Sequence, residues 1–439
     1  MIDITRYLSA FKNLPTEADW AEVNADKRDE YAVYYRDGKK AGYELYTKTA
    51  FYYRVSADGK TGTVYTENSD EDISKLTKEA MECARYADGK TKAPRGGEAS
   101  VSLNDPDQKS DEDIAGFCEQ LNERAVKIPN VSQVRECSTR RMIQSRRVAN
   151  SLGLDSYHEH TYYLSVLNIE TKDSNGKATY SVVKRSADSL KKINMEEMLA
   201  SIIRKSVLKT GNGTTQKANL PSGTYKCILS PDVVLNILLT SWQEFTGANM
   251  GSGVSAFHDK AGTVIGPEFL NIVNAPNAGG WGYNFALDSE GMVCEENNIV
   301  DKGRLVSQLN NAGRAALLTG LTPVNLITIP AVFYIKQGSS SPEEMIKQMD
   351  TGVYIAYSLD AFHSINIASG EFSIPCGGVV YEKGAIVGTI DQIVIAGNLK
   401  DLFLNIEAIG NDLQFDEFLY KNYCYGGPSL LVKNLTICS

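Results

Sequence analysis

Two Asp-Gly dipeptides, Asp37-Gly38 and Asp58-Gly59, constrain this chain most tightly. Each closes a run rich in aromatic and β-branched residues, YAVYYR (31–36) and AFYYRVSA (50–57). A two-residue hairpin turn of the favoured hand needs positive φ angles, which Asp-Gly and Asn-Gly tolerate. A third run, YYLSVLNIE (162–170), leads through Asn175-Gly176 into ATYSVV (178–183). These segments predict an antiparallel sheet.

Three helices are predicted to interrupt it. ISKLTKEAMECARYA places Ile73, Leu76, Ala80 and Ala84 at helical spacing, with Ser69 and Asp72 where a capping box would start it. DEDIAGFCEQLNERAVK (111–127) is the second helix. MEEMLASIIRKSVLK (195–209) is the third, with Asn194 as N-cap and Glu197 three residues on.

A chain of 439 residues is too long for one ordinary core. The polar, glycine-rich stretch TGNGTTQKANLPSG (210–223) is the predicted boundary. It separates an N-terminal α+β domain (1–215) from a C-terminal, mostly β domain with several helices (216–439). The second half opens with the strand TYKCILS. Ser230 then caps a helix with Pro231 in its first turn. Val234, Leu238, Trp242 and Phe245 form that helix's apolar stripe, and Gln243 and Glu244 fall beside it. Ser341-Pro342-Glu343-Glu344 caps another helix, and Lys383-Gly384 turns a further hairpin. The fold class read from this pattern is α+β in both halves.

Charge and composition narrow the function. A net charge of −9 argues against a nucleic-acid partner or an anionic membrane surface, because phosphate neutralisation needs a basic balance. No stretch reaches the roughly 18 apolar residues of a membrane span. The start, MIDITRYLSAFKNLP, lacks the basic-then-apolar pattern of a secretory leader. The eight cysteines form no CxxC pair and read as reduced, mostly buried thiols. Together these predict a cytoplasmic protein.

Four segments are candidates for chemistry. The first is Gln243-Glu244-Phe245-Thr246-Gly247-Ala248. Histidines at its two ends would make a metal-binding helix with a glutamate base. Zinc needs imidazole, thiolate or carboxylate ligands, and glutamine and alanine do not replace them. Their five-residue spacing would also require a distorted helix, which Gly247 permits. The bland reading is an amphipathic helix. The second is His158-Glu159-His160, whose imidazoles share one side of a strand. Two ligands do not make a site, and a half-exposed strand is the simpler reading. Arg140, Arg141, Arg146 and Arg147 read as a strand with its charges in solvent. The glycine-rich stretch PNAGGWGYN (276–284) brings Gly279, Gly280 and Trp281 to a candidate cleft, with Gln243, Glu244 and Asn249 as further lining. No nucleophile elbow, P-loop or dinucleotide fingerprint is present.

The C-terminal half carries a resemblance. IVIAGNLKDLFLNIEAIGNDL (393–413) resembles the signature of the TldD/PmbA family, historically labelled modulator of DNA gyrase. DSEG (288–291), VDKGRL (300–305), KQMDTGVYI (347–355), SGEFS (369–373) and a final segment with Cys424 fall in the family's order. NSLGLDSYHEH (150–160) extends the likeness into the first half. The Gly-Asn-Leu-Lys-Asp and Gly-Asn-Asp runs point to the PmbA (TldE) branch. In the TldD branch a His-Glu-x-x-x-His helix and a cysteine near the C-terminus hold a peptidase metal. The resemblance sets that motif on 243–248, with Glu244 at the glutamate position. Gln243 and Ala248 stand in the histidine slots, and Cys424 lies near the cysteine position.

The resemblance therefore implies a degenerate metal site, with no cofactor in this chain. Zinc is expected in a TldD-like partner subunit, and short or unfolded peptides are the expected substrates. A homodimer is the expectation for the isolated chain. Two competing readings stand beside it: a stand-alone peptide- or ligand-binding protein with a relic cleft, and an active metallopeptidase using other ligands such as His158 and His160.

Overall fold

The computed structural model describes all residues except 88–92, 95, 97, 101–108, 173–175, 177, 211–216, 289, 310–321, 325–330 and 419–422. Asn175 of the third predicted turn, residues 211–216 of the predicted boundary and Ser289 of the DSEG run lie outside the described residues.

Both Asp-Gly turns form as predicted. Asp37 and Gly38 have φ of 53° and 73°, and Asp58 and Gly59 have 52° and 71°. They join β1 (Ala18–Arg36), β2 (Lys39–Ala57) and β3 (Lys60–Thr66). With β4 (Glu98–Ser100), β5 (Val131–Asn150), β6 (Asp155–Lys172) and β7 (Ala178–Ala187) they make a seven-stranded sheet. Its order is β3-β2-β1-β5-β6-β4, and β7 also pairs with β6. Strands β1, β2 and β6 are much longer than the apolar runs that announced them. The extra turns of β1 and β5 carry charged residues paired across the sheet rather than alternating apolar ones.

Side-chain alternation gives the sheet two distinct faces. Odd positions of β1 and β2 (Val23, Ala25, Phe51, Tyr53) pack under α1 (Thr5–Phe11) and α2 (Ile73–Arg85), against Tyr7, Leu76 and Ala80. Odd positions of β6 (Tyr163, Leu167, Ile169) pack under α3 (Asp111–Ala125) and α4 (Met195–Thr210), against Ile114, Leu121, Met198 and Ile202. Asp72 caps α2 by accepting from the Ser74 N–H, and Asn194 Oδ1 accepts from Glu197 N. Gly62 lets α2 lie on β3. A Cβ there would sit 1.9 Å from the Ala80 carbonyl oxygen.

The opposite face of the sheet meets the second half. Met142, Tyr162 and Leu164 join Ala278, Tyr283, Val332, Phe415 and Cys424 in one buried cluster. Tyr162 donates to Glu417, Lys184 pairs with Asp416 at 2.8 Å, and Ser186 donates to the Trp281 carbonyl.

From residue 223 onward the described residues form three more sheets. One runs Ala385–Asn398, Glu371–Glu382, Gly352–Ser358, Gly223–Leu229, Leu430–Cys438, Ile406–Ile409 in spatial order. Another runs Arg304–Leu305, Asn297–Asp301, Ile272–Ala275, Val332–Ile335, Tyr423–Gly427, Gln414–Phe418. Ser307–Leu309 and Thr322–Val324 pair in parallel as the third. The largest apolar cluster of the chain lies here, around α5 (Pro231–Ser241). The architecture is α+β in both halves. Six of the eight cysteines are buried, and all eight are free thiols.

Candidate functional site

The stripe Val234, Leu238, Trp242, Phe245 is buried, and it sets α5 into the core. Ser230 occupies the N-cap position without capping, because its hydroxyl donates to the Ala356 carbonyl instead. Gly427 brings the strand Tyr423–Gly427 against this helix. A Cβ at Gly427 would lie 2.4 Å from Val234 Cγ1.

The amphipathic helix expected to run through Phe245 ends at Ser241. A 3-10 turn, Trp242–Phe245, follows, and Thr246 adopts an extended conformation. Thr246 then caps a short helix, α6 (Gly247–Gly251), by accepting from Asn249 N. The local distortion therefore lies at Thr246, not at Gly247. The Asn249 side chain donates to the Gln243 carbonyl at 2.9 Å and so ties the two turns together.

Glu244 does not sit beside the apolar stripe. It is fully buried. Its Oε2 accepts from Ser255 Oγ at 2.9 Å and from Ala256 N at 2.7 Å, while Oε1 has no protein partner. Burial pushes its carboxyl up to about 7 against the pull of these hydrogen bonds. The arrangement braces the loop at 255–256. Gln243 and Ala248 are half-buried, and Ala248 offers no side-chain donor atom.

Cys424 belongs to the separate cluster of Met142, Tyr162, Tyr283 and Phe415. Burial, then the carboxylates of Glu417 and Asp416, push its thiol well above the usual range. Zinc takes imidazole, thiolate or carboxylate ligands, and of Gln243, Ala248 and Cys424 only the cysteine offers one. The set Gln243, Ala248, Cys424 does not fit a zinc ion. Among the described residues no three His, Cys, Asp or Glu side chains are grouped to hold a metal.

Gly279–Trp281 forms a 3-10 turn. Trp281 lines a cavity of about 410 Å³ with Tyr354 and Asp412, and the Arg185 guanidinium lies over its ring at 5.3 Å. Gly279 and Gly280 are exposed, and neither they nor Gln243, Glu244 and Asn249 line this cavity.

Two sequence readings of the sheet need correction. His158 and His160 are not half-exposed but buried, at 4% and 5% exposure. The four arginines of β5 are not in solvent. They pair with Glu30, Asp111, Asp26 and Asp155 at 3.3, 3.1, 2.7 and 2.8 Å, all less than a quarter exposed. Strand register explains this, since Asp26 faces Arg146 directly across β1 and β5. Sequence reasoning also missed Glu417. Desolvation pushes it up to about 7, and Tyr162 is its hydrogen-bond partner. Nothing local marks it, because its role depends on a residue 255 positions away.

The residues that carry the family resemblance are mostly structural. Asn398 caps the helix Leu399–Leu404 through Lys400 N and ties down Ser369. Asp412 accepts from Ser429 N and Oγ at 2.9 and 2.7 Å. Asp288 Oδ1 closes a turn by accepting from Glu290 N and Met292 N. Lys302 and Gly303, with φ of 45° and 73°, turn a hairpin.

Residues 222–439 match the model of the PmbA/TldA metallopeptidase C-terminal domain. A metalloprotease PmbA homolog of Buchnera aphidicola (subspecies Baizongia pistaciae) is 24% identical over 299 residues, 67% of this chain and 63% of its own length. Metalloprotease PmbA of Escherichia coli O157:H7 is 30% identical over 156 residues, 36% of this chain and 34% of its own length. The matched stretches thus span less than two thirds of these relatives. Two solved structures share the fold. A modulator of a DNA gyrase from Thermotoga maritima aligns with a TM-score of 0.82, 22% identity and 99% of both chains. TldE from Thermococcus kodakarensis aligns with a TM-score of 0.81 and 16% identity, covering 99% of this chain and 100% of its own.

Proposed function

The chain belongs to the TldD/PmbA family, and on that premise we propose that it is a PmbA/TldE-like subunit, without a catalytic metal, of a two-subunit metallopeptidase acting on short or unfolded peptides. The observation that carries this reading is the state of Glu244. A general base of a metallopeptidase must reach a metal-bound water. Here the carboxylate is buried and engaged by Ser255 and Ala256, and its flanking slots hold Gln243 and Ala248. Water keeps its ordinary pKa without a Lewis acid, so Glu244 alone has no hydroxide to generate at neutral pH. The zinc-bearing chemistry would belong to a TldD-like partner, and this chain would help enclose a cleft that admits extended peptides. A net charge of −9 favours a role with peptides over one with nucleic acid.

The test uses the untagged chain after dialysis against zinc. It is expected to hold well under one zinc per chain and to cleave no peptide. Mixed with a TldD-like chain, it is expected to form a complex whose peptidase activity a chelator removes. Chelator-sensitive cleavage by the isolated chain would overturn the reading.

A further inference from the structure

The face of the first sheet that turns away from α1–α4 forms the floor of a second cavity, about 370 Å³ in volume. His158 and His160 line it from β6, Gln144 and Arg146 from β5, and Phe285 closes it from the second half. The two imidazoles are more than nine-tenths buried, yet His158 Nε2 and both nitrogens of His160 have no protein partner. Their rings stack at 5.1 Å, and His160 stacks in turn on Tyr162 at 5.5 Å. Phe285 meets His160 edge-on at 6.0 Å. Tyr46, Tyr52 and Tyr65, all exposed, form an aromatic rim.

Three physical facts limit what such a cavity takes. First, its cations are already matched. Arg146 grips both oxygens of Asp26 at 2.7 and 3.1 Å, and Lys27, Arg28 and Lys48 pair with Asp29, Glu30 and Glu67 at 2.7, 2.6 and 2.6 Å. An anion would find no unmatched charge and would still lose its hydration. Second, apart from the Nε–H of Arg28, whose charge Glu30 already balances, the unmet groups are neutral. Burial and the nearby Arg146 guanidinium hold His158 down to about 4; burial, His158 and Arg146 hold His160 down to about 3. A neutral imidazole offers one N–H donor and one acceptor. Third, parallel stacked rings do not aim two lone pairs at one ion, and Arg146 beside them repels a cation.

We propose that this cavity is a binding site for a neutral, planar ligand carrying both a hydrogen-bond donor and an acceptor, the chemistry of an aromatic primary amide or a nitrogen heterocycle. Such a ligand stacks on the aromatic walls. Its donor and acceptor satisfy the imidazole nitrogens, which otherwise stay buried without a partner. The volume falls within the range of small-molecule pockets. This inference does not depend on the peptidase reading, since neither Gln243 nor Glu244 lines the cavity.

The test is NMR of the full chain, labelled with ¹⁵N at its four histidine imidazoles. The probes are nicotinamide, adenine and nicotinate, the last having the ring of nicotinamide with a carboxylate in place of the amide. Nicotinamide or adenine is expected to shift the His158 and His160 ring nitrogens saturably, leaving those of His258 and His363 in place. Nicotinate should bind about tenfold more weakly or worse. His160→Phe, which keeps the stacking surface and removes both nitrogens, should weaken binding by a similar factor. The absence of a saturable shift at His158 or His160 with either neutral probe overturns the proposal. So does nicotinate binding as tightly as nicotinamide, or undiminished binding by a folded His160→Phe chain. Should that variant fail to fold, the wild-type shifts and the amide–acid contrast decide alone.

Discussion

The Tyr162 hydroxyl donates to Glu417 at 2.9 Å, joining two residues 255 positions apart across the seam between the first sheet and the second half. Tyr162 is fully buried, and Glu417 Oε1 is shut off from solvent without a protein partner. The carboxylate therefore relies on this bond more than an exposed one would.

Tyr162→Phe is expected to destabilise the chain by about 1–2 kcal/mol, since it strands a buried acceptor. Chemical denaturation followed by tryptophan fluorescence measures the loss. Glu417→Gln, which keeps an acceptor for the phenol, should cost less.

Stability should depend on pH in two opposed ways. Glu244 and Glu417 have pKa values raised by folding from 4.5 to about 7. Their contribution is complete below 4.5 and is lost as pH rises through about 7. His158 and His160 are lowered from 6.5 to about 4 and about 3, so their contribution is present above 6.5 and is lost as pH falls toward those values. Urea midpoints across this range should show Glu417→Gln flattening the loss on the rising side only. An unchanged profile in that variant would contradict the assignment.

Glu244→Ala should cost about 1–3 kcal/mol, because Ala256 N loses its acceptor in the core while Ser255 Oγ keeps only the Glu244 carbonyl. Glu244→Gln keeps an acceptor oxygen and should cost clearly less. A solvent-facing catalytic glutamate would show the reverse pattern, with little effect on melting temperature from either change.

Gly62→Ala should cost about 2 kcal/mol or more, because the new methyl meets the Ala80 carbonyl of α2, a backbone atom that cannot rotate away. Hydrogen exchange should show the loss concentrated in α2 and β3. Uniform protection in the variant would show that α2 shifts without penalty.

Much of this fold was readable because its cues are local. Asp37-Gly38, Asp58-Gly59 and Lys383-Gly384 need only their own dihedral preferences. The Ser341–Glu344 capping box needs only four residues. What escaped reading depends on register. Asp26 facing Arg146, and Arg146 facing His158, turn apparent surface charges into a half-buried, paired layer, and no segment contains that pairing. The 3-10 turn at Trp242–Phe245 escaped for a related reason. The stripe Val234, Leu238, Trp242, Phe245 fits a continuous helix, while the break at Thr246 is held by Asn249 and by the burial of Glu244.

Asn398, Asp412, Asp288 and Gly303 carry the family likeness, and each fixes the backbone at a cap, a turn or a junction between segments. A likeness built on such joints reports that the frame has been inherited, and it stays silent on whether the machinery mounted in that frame still runs. What Gln243, Ala248 and Cys424 do has therefore to be asked of those residues themselves, since the runs 288–291, 300–305 and 393–413 do not contain them.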